Sequence, residues 1–223
     1  MQYDIKKNTF VTVSRKKFLD YLNQLPSIND YIYLINESNP KEEENEFQVF
    51  IGDIDTQESL TFSSYHTLII GNVTTKWLDC SNNNALGFDE GGSTIIMGNL
   101  TCEYFTGEYH KLVFIDKNIH VSKVLHNAFD GSYLVALGDL KATYFAGLDY
   151  GTEVGGVVEL TYGEGSCLHI NSADSIKKKI KPRHSETESQ KFLKVEYTAN
   201  EFKTRDSFLK VMIKTDITDS EKN

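Results

Sequence analysis

The sequence predicts a mainly β fold: a single-stranded parallel β-helix of about five or six short rungs, with an α/β cap before it and a helical cap after it. One observation is a phrase that recurs four times. Thr67-Leu-Ile-Ile-Gly-Asn-Val73 runs on to Trp77-Leu78, and Thr94-Ile-Ile-Met-Gly-Asn-Leu100 to Tyr104-Phe105. Val113-Phe-Ile-Asp-Lys-Asn-Ile119 runs on to Lys123-Val124, and Leu134-Val-Ala-Leu-Gly-Asp-Leu140 to Tyr144-Phe145. A fainter copy stands at Val49-Phe-Ile-Gly-Asp-Ile54. A second observation is the spacing: Gly52, Gly71, Gly98, Lys117 and Gly138 follow one another at intervals of 19, 27, 19 and 21 residues. The third is that apolar residues match from copy to copy on both sides of the corner.

A unit of about 20 residues cannot bury its own apolar face and must stack on its neighbours. The residue after each corner (Val73, Leu100, Ile119, Leu140) and the one five positions on (Leu78, Phe105, Val124, Phe145) are expected to form ladders inside the solenoid. Glycine at the corner permits positive φ, and the Asn or Asp beside it can bond the turn backbone. Lys117 breaks the glycine rule, while Asn118 keeps the polar corner residue. The competing fold is an antiparallel sandwich of similar hairpins; the apolar positions matched across the corner favour the β-helix. Right-handed winding is expected from the general preference of parallel crossovers.

Residues 1–46 read as the N-terminal cap. Phe10-Val-Thr-Val13 suggests a short strand. Ser14 offers an N-cap, and Phe18, Leu19, Leu22 and Leu25 follow at helical spacing until Pro26 stops the helix. Tyr31-Ile-Tyr-Leu-Ile35 has strand composition, and Asn36 to Asn45 is a polar loop with Glu42, Glu43 and Glu44. Residues 47–170 are the repeat domain. Residues 171–223 hold a basic loop (Lys177, Lys178, Lys179, Lys181, Arg183) and then Phe202, Leu209, Met212 and Ile213 on one face of a capping helix.

Two irregularities bear on function. After Trp77-Leu78 the chain inserts Ser81 to Ser93, and after Tyr144-Phe145 it inserts Gly147 to Gly156. Both fall at the same phase of the repeat, so both are expected on one corner of the solenoid, where insertions often form the binding face. With the Glu108-Tyr109-His110 turn they gather acids (Asp89, Glu90, Asp149, Glu153) among aromatics (Phe88, Tyr109, Tyr150). Aromatic anchors steered by charge are what a protein-binding patch presents. Gly-rich turns carry polar residues in any case, so the same pattern is also compatible with plain solvated loops.

Composition narrows the classes of function. A net charge of −9 and a pI near 5.2 argue against a nucleic-acid partner, because phosphate binding needs a positive field. No apolar run approaches the length of a membrane span, and the N-terminus has no apolar targeting segment. Cys80, Cys102 and Cys167 are odd in number without metal-like spacing, which suits free thiols in a reducing cytoplasm. No cofactor or metal is expected. His110, His120 and His126 match neither a helical metal pair nor the repeat. Carboxylate pairs across rungs, Asp79 with Glu103 or Asp116 with Asp139, would be the basis of a polysaccharide-acting enzyme. No basic residue recurs in a column to hold an acidic sugar, so no enzyme is expected.

Gly98-Asn-Leu-Thr-Cys-Glu-Tyr-Phe-Thr-Gly-Glu-Tyr-His110, with Gly138-Asp-Leu-Lys-Ala-Thr-Tyr-Phe-Ala-Gly147, resembles a bacterial family of Gly-Asp-Leu repeat β-helix proteins. The resemblance covers about residues 48–165 and rests on short motifs. Members often sit beside polymorphic toxins and are thought of as immunity-type or accessory binding proteins, with no catalytic motif to carry over. The resemblance therefore implies an intracellular protein that occludes a toxin domain, as a monomer or small homo-oligomer. The alternative is a self-associating scaffold, which capped ends disfavour.

Overall fold

The computed structural model describes residues 8–37, 47–62, 65–80, 92–107, 112–128, 133–148, 151–164 and 169–170. They fall within one compact unit, Met1–Arg183. The order begins with β1 (Val11–Thr12), α1 (Arg15–Leu22), a 3₁₀ helix (Pro26–Tyr31) and α2 (Ile32–Glu37). The strands that follow alternate between two sheets. One sheet, A, takes β2 (Phe47–Ile51), β5 (His66–Ile70), β7 (Ser93–Ile96), β9 (Leu112–Ile115), β11 (Tyr133–Ala136), β13 (Gly151–Val154) and β15 (His169–Ile170). The other, B, takes β3 (Ile54–Asp55), β4 (Ser59–Thr61), β6 (Val73–Asp79), β8 (Leu100–Thr106), β10 (Ile119–Ala128), β12 (Leu140–Leu148) and β14 (Val158–Glu164).

Successive strands of each sheet pair in parallel, which makes this unit a β-solenoid. About four turns, from β5 to β12, carry the repeated phrase in full. Shorter or less regular strands precede and follow them in register, so the expected five or six rungs resolve into a regular middle with partial ends. β1 runs antiparallel to β2 and covers that edge of sheet A.

The repeat works because its apolar ladders coincide. Val73, Leu100, Ile119 and Leu140 lie opposite one another across sheet B and are buried. The second ladder is Leu78, Phe105, Leu125 and Phe145, not Val124. The reason is a bulge: β10 has two residues between Val121 and Val124 where β8 and β12 have one, so everything after it moves by one position. From sheet A, Phe50, Ile69, Ile96, Ile115, Ala136 and Val154 complete the interior. Each fully buried large side chain contributes about 1.5–3 kcal/mol by leaving water.

The tight corners between the sheets are held by a polar ladder. The Asp53 carboxylate accepts from the Asn72 backbone N–H at 2.7 Å, and Asn72 Oδ1 accepts from Asn99 N–H at 3.0 Å. Asn99 passes the pattern to Asn118 at 3.2 Å, Asn118 to Asp139 at 2.8 Å, and Asp139 to Val157 at 2.7 Å. Glycine precedes these residues because the turns approach closely: a Cβ on Gly98 would lie 2.3 Å from the Gly71 carbonyl oxygen. At Lys117 the corner keeps its bond, with the Lys117 N–H donating to Gly98 O at 3.2 Å.

Two sequence expectations are corrected. Tyr31 to Ile35 is helical, not a strand. Ile28, Ile32 and Ile35 recur at helical spacing and turn toward sheet A, so packing overrides the β-propensity of the segment. The stretch Gly147–Gly156 is not an inserted loop. It holds the end of β12, the whole of β13 and the next tight corner, at which Gly156 N–H donates to Gly138 O at 2.9 Å.

The N-terminal helix α1 is as expected, with Ser14 Oγ accepting from Lys17 N–H at 3.3 Å. The segment lies mostly along the side of the solenoid. Phe18, Tyr21, Leu22, Ile28 and Ile35 form a second core with Val49, Leu68, Ile95, Phe114 and Val135, which face outward from sheet A. The basic loop and the C-terminal helix expected at 200–213 lie outside the described residues.

Candidate functional site

The solenoid has two unlike edges. At one, the chain turns from sheet A to sheet B through the tight polar corner. At the other, it passes from sheet B back to sheet A through connections of varied length. Phe88, Asp89 and Glu90 fall between β6 and β7, Tyr109 between β8 and β9, and Asp149 and Tyr150 between β12 and β13. These six residues lie outside the described residues. Their flanking strands are neighbours: β6 pairs with β8, β7 with β9, and β8, β10 and β12 follow in order. All three connections therefore leave the same edge.

Glu153 is placed differently from expectation. It sits within β13, directly opposite Val135 of β11, on the outer face of sheet A. It is half-buried, and its carboxylate accepts a hydrogen bond from the Tyr31 hydroxyl at 2.5 Å. The Tyr31 ring lies 5.4 Å from Phe114. Glu153 thus ties the N-terminal helical segment to the solenoid and is not part of a loop patch. Its strand was missed because Gly151-Thr-Glu-Val154 lacks the apolar run of the other copies. The available signal was the interval of 18 residues from Gly138 to Gly156, close to the repeat.

Burial first, then the Glu153 bond and charge, raise the Tyr31 phenol well above its ordinary value of 10.0. The proton stays on longer in the folded chain than in the unfolded one. The stabilisation is therefore complete below pH 10 and lost as pH rises from there through the folded value. Stability measured by denaturant titration should fall above about pH 10, and Tyr31→Phe should flatten that limb. An unchanged slope in the variant would rule this contact out as its source.

The roots of the variable edge are well built. Asp79, Thr106 and His126 occupy one column on β6, β8 and β10, and all three are buried. The Trp77 Nε1–H donates to Thr106 Oγ1 at 3.1 Å, and the Thr106 hydroxyl donates to Asp79 Oδ1 at 2.7 Å. Beside them run Trp77, Tyr104, Val124 and Tyr144 in register. Sequence reading did not single out this column. Its signal is the residue two places beyond each aromatic or Val124, at constant phase.

Several of the groups weighed for chemistry have structural partners. Asp79 accepts from Thr106, while Glu103 pairs with Lys123 at 3.1 Å. Asp139 bonds the corner backbone. His66 Nδ1 lies 2.7 Å from Ser93 Oγ, buried under Phe18 and stacked on Phe47. Among the described residues no three His, Cys, Asp or Glu side chains gather as a metal site. No helix among them is long and apolar enough to cross a membrane.

Cys80 and Cys102 are free thiols inside the solenoid. Burial pushes Cys102 up to about 12 and Cys80 higher still. Both are protonated at neutral pH and lack nucleophilic thiolate. Iodoacetamide at pH 8 should leave both unmodified in the native protein and label both in denaturant, as read by peptide mass; native labelling would contradict their placement.

No family model, curated protein or solved structure matches the chain.

Proposed function

We propose that the chain is an intracellular protein-binding module of the immunity type, which neutralises a cognate bacterial toxin domain by occluding it. The observation that carries this reading is the shared edge: the connections bearing Phe88, Asp89, Glu90, Tyr109, Asp149 and Tyr150 all rise from neighbouring strands. Connections that start from one edge and carry acids among aromatics in their sequence suit a basic protein surface better than a small-molecule cleft. Glu153 is withdrawn from the patch because Tyr31 holds it. Right-handed winding, a C-terminal helical cap and a cytoplasmic setting belong to the same reading.

The runner-up is a scaffold that grows by stacking solenoid ends. β1 weighs against it, since its antiparallel pairing with β2 occupies the sheet A edge that a parallel neighbour would need. The test is a pull-down of the product of the neighbouring reading frame with this chain and with an Asp89→Lys/Asp149→Lys double variant. Tight binding that the double change weakens supports occlusion by this edge. Binding indifferent to the change removes the edge, and no binding together with filaments on gel filtration favours the scaffold.

A further inference from the structure

We propose that the N-terminal helical segment is a strap, fixed to the solenoid at its first strand and latched at β13 by the Tyr31–Glu153 hydrogen bond, and that it opens from the latched end. The topology places both attachments of the strap together. β1 pairs with β2 on one side of it, and the chain rejoins the solenoid at Phe47, the first residue of β2, on the other. From β1 to Glu37 the segment travels along the outer face of sheet A. Phe18 meets Phe47 and His66 of β2 and β5, while Tyr31 meets Phe114 of β9 and Glu153 of β13. From β2 to β13 there are five strand spacings, about 24 Å. The strap is therefore a cantilever, with its covalent and sheet anchors at one end.

Its two ends differ in regularity. Apolar burial is similar along the strap, with Phe18 and Leu22 near the anchor and Ile28 and Ile35 near the latch all buried, but near the anchor α1 is a regular helix N-capped by Ser14. Toward the latch come a 3₁₀ helix without a side-chain cap and an α2 of six residues, too short to be stable without packing. Tyr33 is half exposed there. The outward column beneath the strap, Val49, Leu68, Ile95, Phe114 and Val135, is apolar until it reaches Glu153. A half-buried carboxylate that ends an apolar column needs its donor, and Tyr31 supplies one. Local opening concentrates where secondary structure is shortest and least capped, so release begins at Tyr31 and uncovers Phe114 and Val135 first.

Native-state hydrogen exchange on the full chain reads this directly. In Tyr31→Phe the amides of residues 26–37 should exchange about tenfold faster or more, the scale of a lost bond to a charged group. Residues 15–22 and the strands of sheet B should keep their wild-type rates. Replacing both partners, Tyr31→Phe with Glu153→Leu, should restore protection of 26–37, because no buried charge is then left without a donor. Unchanged exchange at 26–37, or faster exchange spread equally over the chain, would overturn the latch. So would a double variant that exchanges as fast as the single one. If Tyr31→Phe proves too unstable to measure, the double variant together with Glu153→Leu alone decides the same question by the same peptides.

Discussion

Gly98→Ala should cost about 3 kcal/mol, at the upper end of overpacking changes, and lower the melting temperature by about 6 to 12 °C for a chain of this size. The added Cβ would lie 2.3 Å from the Gly71 carbonyl oxygen, 2.6 Å from its carbon and 2.9 Å from the Asn72 nitrogen. All three are backbone atoms of the preceding corner, so no side chain can swing aside. Moving them would break the bond from Asn99 N–H to Asn72 Oδ1 and spread the shift along the ladder. Lys117 occupies the equivalent place one turn on and is exposed. Lys117→Ala should therefore stay within about 0.5 kcal/mol of wild type. Equal losses at both sites, measured by thermal denaturation, would contradict the close-approach explanation of the corner glycines.

Phe105→Ala should cost about 4 kcal/mol, among the larger core truncations. Its ring is fully buried between Leu78 and Leu125 in the second interior ladder. A solenoid side chain packs against the turns above and below, and their spacing is fixed by backbone hydrogen bonds. The vacated space cannot close without breaking sheet B, so the cavity term persists in full. Phe105→Leu should lose less than half as much, because a γ-branched side chain keeps contact with both neighbours. Urea titration of the three proteins measures this, and a Phe105→Ala loss under about 1 kcal/mol would place the ring outside the core.

The fold was legible in the sequence where one stretch of residues had to satisfy one periodic demand. The corner sets both the close approach and the polar ladder, so Gly71-Asn72, Gly98-Asn99 and Gly138-Asp139 could be recognised without coordinates. Legibility failed where a second demand acted. The extra residue in β10 moved Leu125 into the place that counting gives to Val124. The polar strand at Gly151–Val154 is held by pairing with β11, which local composition cannot reveal. Tyr31 to Ile35 has strand-forming residues, but Ile28, Ile32 and Ile35 pack at helical spacing against the outer face of sheet A, and that long-range packing overrides the local propensity. For the site, the phase of the repeat places the connections after β6, β8 and β12 at one edge, but the second insertion read from the sequence is strand β13. Glu153 failed because its partner lies 122 residues away.

The occlusion reading is tested most directly by hydrogen exchange of the chain with and without the toxin-domain partner bound. Protection should appear in residues 81–91, 108–111 and 149–150, with the tight corners at 52–54, 71–73 and 98–100 unchanged. Protection centred on those corners, or on the outer face of sheet B around His120 and Lys141, would contradict binding by the variable edge.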